Sequence, residues 1–209
     1  MTYLARLLAP ALLLGLTACS VLAGGDRNAT TIYAPQVRVQ ADPAWPQARW
    51  QLAIAKPSAA RLIDSPRINV RPTPGELEVY RGATWAQPAT DMVEDIVLRA
   101  FEDAGRLDGV ARIATGIRAD YKLVLDIRRF ESDYAGGASP AATIEIAAKL
   151  IHSVDQHVIA SRTFQRAEPA GDTAIPAVAS AFERALQAMT PELVGWTLQA
   201  GNAAQAGRS

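Results

Sequence analysis

Cysteine and histidine are scarce in this chain of 209 residues, which contains one cysteine, Cys19, and two histidines, His152 and His157. A single cysteine excludes an intramolecular disulfide. The formal net charge is zero, so the sequence gives no reason to expect nucleic-acid binding. No hydrophobic run reaches the roughly 20 residues that a membrane-spanning helix requires. The sequence therefore predicts neither a disulfide scaffold nor a helical membrane span.

Motifs of catalysis are also missing. The sequence has no G-x-S-x-G turn for a serine nucleophile, no H-E-x-x-H zinc motif and no Gly-rich loop leading into a helix. His152 and His157 flank a predicted turn at Asp155, and these three side chains can be imagined as metal ligands. A solvated hairpin tip is the favoured interpretation, because no further His or Cys supports a zinc site. We predict a protein that is not an enzyme and has no cofactor and no metal.

The amino-terminal residues have the order and spacing of a bacterial lipoprotein signal. Arg6 supplies a positive charge, residues 7–16 form a short apolar run, and Leu16-Thr17-Ala18-Cys19 resembles a lipobox. In lipoproteins of this kind, lipid is attached to the cysteine and the signal is cleaved before it. The alternative is a secreted protein with a stray cysteine near its cleavage site. We predict that Cys19 is lipidated (diacylglycerol, with a further acyl chain such as palmitate), because two or more chains hold a protein stably on a membrane.

The rest of the chain predicts one folded domain. We assign residues 1–18 to the signal peptide, residues 19–30 to a lipidated flexible tether, and residues 31–199 to a single domain. Residues 200–209 are small and polar and predict a disordered tail. Cleavage leaves 191 residues (209 − 18), a length that suits one domain with a sizeable core.

Hydrophobic periodicity predicts an α+β fold. One apolar stripe from Met92 to Ala104 indicates a helix that Thr90 or Asp91 caps and Gly105 ends. A second helix begins near Asp172 or Thr173, with a kink or restart at Pro191. Alternating or short apolar segments predict strands at residues 50–54, 67–70, 76–80, 109–114, 121–128, 143–151 and 157–166. The expected fold is a mostly antiparallel sheet with two helices packed on one face.

The four tryptophans are the candidates for a partner contact, because tryptophan suits interfaces with one apolar and one wet side. Trp45, Trp50 and Trp196 are equally well explained as core residues. Trp85 lies next to a predicted turn and just before the first helix. We therefore take Trp85 as the candidate partner-binding residue.

Several stretches resemble the ABC-type transport auxiliary lipoprotein family, the PqiC-like group. They are residues 64–72 (DSPRINVRP), 75–85 (GELEVYRGATW), 119–123 (ADYKL) continuing to Phe130, 160–164 (ASRTF), and Ala181-Phe182 continuing to Trp196. The resemblance spans about residues 31–198 and includes the lipobox. These motifs are structural, so they identify a fold better than a site.

The resemblance implies a non-enzymatic accessory component of an MCE and ABC-transporter system that moves phospholipid between membranes and maintains the outer membrane. The implied partners are an MCE-domain protein and its ABC transporter. Ser20 stands where an Asp commonly retains lipoproteins in the inner membrane, which favours the periplasmic face of the outer membrane. Direct binding of phospholipid and assembly into a homo-oligomer stay open. The alternatives are a structural or assembly lipoprotein of another envelope complex, and an enzyme on a lipid tether.

Overall fold

The computed structural model describes residues 29–207, and residues from Thr31 onward form one compact unit. The predicted signal peptide, Cys19 and most of the predicted tether lie outside the described residues. In chain order the elements are β1 Thr31–Tyr33, β2 Ala48–Ile54, β3 Ser58–Ala59, β4 Arg67–Arg71, β5 Glu78–Trp85, α1 Ala89–Ala104, β6 Leu107–Arg112, a 3₁₀ turn Ile113–Thr115, β7 Tyr121–Asp133, β8 Ala141–His152, β9 Val158–Pro169 and α2 Ile175–Ala206.

The long strand β7 organises the sheet. One of its edges pairs with β8, which pairs in turn with β9, and both pairings are antiparallel. The other edge is shared along its length by β2, β3 and β4, which all run parallel to β7. Strand β6 extends the sheet beside β2, while β5 and then β1 extend it beside β4.

The α+β class is confirmed, but the sheet is mixed rather than mostly antiparallel. The parallel pairs arise because β2, β3 and β4 follow one another in the same direction along a single edge of β7. Short strands separated by prolines and turns normally predict hairpins, so the sequence pattern favoured antiparallel pairing. The last three strands, β7, β8 and β9, form an antiparallel meander.

The two helices and the sheet share one hydrophobic core. Helix α2 packs on β8 and β9, and α1 packs against β6 and α2. Alternate residues of β7 face this core, and Tyr121, Leu123, Leu125 and Ile127 are all at most 1% exposed. Gly105 ends α1 in the left-handed conformation, as predicted. The predicted cap at Thr90 or Asp91 is wrong, because α1 already begins at Ala89, after Pro88 and without a side-chain cap. Both residues lie in the first turn, where Thr90 donates to Asp64 and Asp91 pairs with Lys56.

Helix α2 continues further than the sequence predicted. It passes through Pro191 without a break and ends at Ala206, so the expected disordered tail is wrong for residues 200–206. The small side chains of this segment have a packing role, since the Trp50 ring lies where a Cβ on Gly201 would be. Asn202 accepts a hydrogen bond from Trp50 Nε1 at 2.8 Å and donates to the Gln47 carbonyl at 2.9 Å. None of the helices in the described part of the chain is both long and apolar enough to span a membrane.

Candidate functional site

The structure places Trp85 in the core and not on the surface. Its side chain is 2% exposed, and its ring packs edge-on against Phe130 and Phe182 with centroids 6.0 and 5.1 Å away. The expectation of a partner contact at Trp85 is therefore wrong. The error arises because β5 does not turn at residue 81 but continues to Trp85, whose side chain points into the sheet's core face.

The two histidines lie at the β8–β9 hairpin, as expected, but only part of this tip is solvated. His152 is 8% exposed, its Nδ1 lies 2.8 Å from Asp155 Oδ1, and its ring contacts Tyr121. The same carboxylate oxygen accepts the backbone N–H of the exposed His157 at 3.0 Å. Asp155 therefore closes the turn. No group of three His, Cys, Asp or Glu side chains within residues 29–207 has the arrangement to bind a metal ion.

A shallow apolar groove lies beside this hairpin. It has a volume of about 580 Å³ and separates the start of β9 from the last turns of α2. Ile159, Ala160, Ala200, Ala203 and Ala204 form its apolar lining, and Asp155 and His157 lie at its rim. Small side chains on α2 create the space, since no bulky residue there reaches the strand.

A cluster of four charged side chains lies around the carboxyl end of β7. Glu131 is 2% exposed and accepts two hydrogen bonds from Arg71, from Nε to Oε1 and from Nη2 to Oε2, both at 2.9 Å. Arg129 Nε donates to the same Oε1 at 2.8 Å, and Arg129 Nη2 donates to Asp133 Oδ2 at 2.6 Å. We call Arg71, Arg129, Glu131 and Asp133 the charge cluster.

The charge cluster keeps both of its carboxylates ionised. Burial by itself raises the pKa of Glu131, but the hydrogen bonds from Arg71 and Arg129 outweigh it and hold this pKa below the ordinary value. Burial likewise raises the pKa of Asp133, and the Ala135 N–H and Arg129 together bring it below the ordinary value. A carboxylate with a lowered pKa is a poor proton donor or acceptor near neutral pH. The arrangement suits a structural brace rather than acid–base catalysis.

A protein-family model matches most of the chain. The family model described as "ABC-type transport auxiliary lipoprotein component" matches residues 31–194. The chain belongs to this family. The match begins at β1 and runs into α2, so it includes every strand, the charge cluster and the β8–β9 hairpin.

Solved structures share the fold of this chain. The chain is similar to the crystal structure of protein XCC0632 from Xanthomonas campestris, with 66% identity, a TM-score of 0.82, and coverage of 86% of this chain and 100% of that one. Hypothetical protein CT253 from Chlamydia trachomatis, 7% identical over 74% of this chain and 99% of that one with a TM-score of 0.52, shares the fold.

A curated relative extends beyond this domain. An uncharacterised protein of Bradyrhizobium diazoefficiens is 28% identical over 149 residues, which are 71% of this chain and 40% of that protein. The chain therefore spans less than half the length of this relative.

Sequence reasoning missed the charge cluster, although a signal was present. Arg129, Glu131 and Asp133 alternate as side chains on one face of a strand do. The predicted strand ended at residue 128, because a bulge between Ile127 and Arg129 shifts the alternation by one residue. The other predicted site residue, Cys19, lies outside the described residues, and its lipidation stays a prediction.

Proposed function

We propose that this protein is a non-enzymatic accessory component of an ABC-type, MCE-containing system that transports phospholipid between the membranes of the cell envelope. The observation that carries the proposal is the family match over residues 31–194. Members are described as transport auxiliary lipoproteins, which is a supporting role and not the transport step itself. The brace-like chemistry of the charge cluster agrees with such a role.

The location is part of the proposal. Cys19 in its lipobox supplies a lipid anchor, and Ser20 after it favours the periplasmic face of the outer membrane. The domain begins at Thr31, so residues 20–30 separate it from the anchor. At roughly 3.3 Å per extended residue, this segment reaches about 35 Å. An anchored domain within that distance can meet a partner that arrives from the inner membrane.

Deletion of the gene tests the proposal. We expect the deletion strain to become sensitive to detergents, because a defect in phospholipid transport weakens the outer-membrane barrier. The wild-type gene should restore resistance, whereas Cys19→Ser should not, since that variant cannot be lipidated. Crosslinking and pull-down of the wild-type protein should recover an MCE-domain protein. An intact barrier in the deletion strain, together with recovery of an unrelated outer-membrane protein, would instead favour the role of an assembly lipoprotein.

A further inference from the structure

Two of the large apolar side chains that the structure exposes lie on neighbouring parts of the domain, one on β1 and one in the turn before β4. Ile32 on β1 is 65% exposed and Leu62, in the turn before β4, is 37% exposed. Isolated exposed apolar residues are common on protein surfaces and need no explanation.

Strand pairing places the two on a continuous surface. Ile32 lies opposite Thr84 in the β1–β5 pair, and Thr84 lies opposite Arg67 in the β5–β4 pair. Directly paired residues point to the same face of a sheet. That face is the outer one, because the neighbouring residues of β5 point into the core, where Ala83 is 8% and Trp85 2% exposed.

Hydrogen bonds hold the turn that carries Leu62 beside these strands. Thr84 Oγ1 donates to the Pro66 carbonyl at 2.5 Å. The Leu62 carbonyl accepts from Ser65 Oγ at 2.7 Å and from Asn69 Nδ2 of β4 at 3.4 Å. Leu62 is thereby fixed next to the face that presents Ile32 and Arg67.

Three arginines without carboxylate partners lie on the turn and strands that carry or flank the two apolar side chains. Arg61, Arg67 and Arg81 are exposed, and none of them forms an ion pair with another described residue. Ion pairs are instead found elsewhere, on Arg71, Arg112, Arg128, Arg129, Arg166 and Arg184. Asp64 lies in the same turn as Leu62, where it accepts the Thr90 hydroxyl, and Glu78 lies at the start of β5. We call Ile32, Leu62, Arg61, Arg67 and Arg81 the basic–apolar patch.

This combination matches the chemistry of an anionic membrane surface. Guanidinium groups bind lipid phosphates, and apolar side chains between them enter the boundary between headgroups and acyl chains. The patch alone is small, but it lies next to Thr31, where the segment that leads back to Cys19 joins the domain. A short tether to Cys19 keeps the domain near the membrane and so raises the effective concentration of the lipid surface. A weak contact between a small patch and lipid is then enough for docking.

We propose that the basic–apolar patch docks on the anionic lipid surface of the membrane in which Cys19 is anchored, and so sets the orientation of the domain. The turn that carries Arg61 and Leu62 joins β3 to β4 beside the middle of β7, since Ala59 pairs with Ile127 and Asn69 with Glu131, whereas the β8–β9 hairpin lies at the amino end of β7. Docking therefore turns the hairpin and its apolar groove away from the membrane. The proposal rests on the lipid anchor of the proposed function and does not require an MCE partner.

Site-specific fluorescence on the full-length lipidated protein tests the docking. A thiol-reactive fluorophore is placed at Ala60→Cys, an exposed position beside Arg61, and in a matched variant at Val154→Cys, which is 86% exposed at the hairpin tip. Each protein is reconstituted in vesicles of phosphatidylcholine with or without phosphatidylglycerol, and bromine-labelled acyl chains serve as quenchers. We expect quenching at position 60 only in the vesicles that contain phosphatidylglycerol, and little quenching at position 154.

Charge and apolar variants separate the two contributions. Each of Arg61→Gln, Arg67→Gln and Arg81→Gln should lower the docking equilibrium constant about fivefold, and high salt should act in the same direction. Ile32→Ser should weaken docking without changing its salt dependence. Unchanged thermal unfolding would show that the variants are folded, as expected for exposed side chains.

The outcomes distinguish this proposal from the proposed function. Vesicle-bound protein with equal quenching at the two positions, or with quenching independent of phosphatidylglycerol, overturns the docking and leaves the transport role intact. Protein that does not float with vesicles at all overturns the anchor, and the docking with it. Docking that persists while no MCE protein is recovered supports the orientation and removes the transport role.

Discussion

The two faces of β7 near its carboxyl end are both buried, and they are built in opposite ways. On the core face, Phe130 is 1% exposed and stacks with Phe182 at a centroid distance of 4.8 Å. On the outer face, the adjacent residue Glu131 is 2% exposed and is enclosed by Arg71 and Arg129. One strand thus holds an aromatic cluster on one side and a charge cluster on the other.

The comparison separates two sources of stability. Aromatic burial depends on shape and area, tolerates changes of pH and gains from every ring contact. A buried carboxylate is stable only while its cationic partners remain, because an unpaired buried charge costs far more than a paired one contributes. The two faces should therefore respond differently to truncation, to charge removal and to acid.

Truncation of the aromatic face should have the largest effect. We expect Trp85→Ala to lower the free energy of unfolding by about 3–5 kcal/mol, because it leaves a cavity beside Phe130 and Phe182. Urea denaturation near neutral pH measures this loss. Trp196→Ala is the matched control, since Trp196 is only partly buried and contacts Phe164 alone among the described aromatic rings. Equal losses for the two variants would contradict the central position of Trp85.

Neutralisation of the outer face should have the next largest effect. Glu131→Gln keeps the shape of the side chain but leaves Arg71 and Arg129 without their shared anion. We expect a loss of about 2 kcal/mol, below the full cost of breaking a buried pair, because the two arginine side chains are 27% and 29% exposed. Glu145→Gln is the control. Its partner Arg128 is 52% exposed, and loss of such a pair costs about 0–1 kcal/mol.

The sequence predicted the helices and the amino-terminal half of β7 better than the carboxyl end of β7. Hydrophobic periodicity identified α1, α2 and the core-facing residues of β7 from Tyr121 to Ile127. This pattern is visible in each segment alone, without knowledge of the neighbouring strands. Parallel pairing of β2, β3 and β4 was not predictable, since it depends on contacts between segments far apart in the chain.

The packing of α2 shows the same limit at single residues. Composition made residues 200–206 look like a disordered tail. Contact with Trp50, some 150 positions earlier, makes Gly201 and Asn202 part of the fold. Similarly, the sequence predicted a turn before Trp85 and therefore an exposed side chain. The strand instead continues past Gly82, which has a φ of 70°, and Trp85 is buried. Local sequence signals turns, but not whether a strand resumes after one.

Acid should weaken the outer face selectively. The pKa values of Glu131 and Asp133 are lower in the folded protein than ordinary carboxyl values. The unfolded chain therefore binds protons first as the pH falls below about 5, and the stability that these groups contribute near neutral pH is lost progressively as the pH falls through their folded-state values.

The paired comparison is between the wild type and Glu131→Gln over pH 7 to 3. We expect the wild type to lose stability more steeply than the variant, because the variant has one fewer carboxyl group with a lowered pKa. Trp85→Ala, which removes no titrating group, should follow the wild-type slope. Parallel curves for the wild type and Glu131→Gln would show that the charge cluster does not contribute to acid sensitivity.

The smallest effect is expected at a neutral contact on Ser132, which lies between the charge-cluster residues Glu131 and Asp133 in β7. Tyr80 on β5 and Ser132 on β7 share a hydrogen bond of 3.0 Å between their hydroxyl groups, and burial raises the pKa of Tyr80. Tyr80→Phe should cost about 1 kcal/mol, because it leaves the buried Ser132 hydroxyl without this partner. In a double-mutant cycle, Ser132→Ala should add little once Tyr80 is Phe, whereas it should be additive with Trp85→Phe. Additivity of the Tyr80 and Ser132 variants would mean that the contact does not link β5 to β7 energetically.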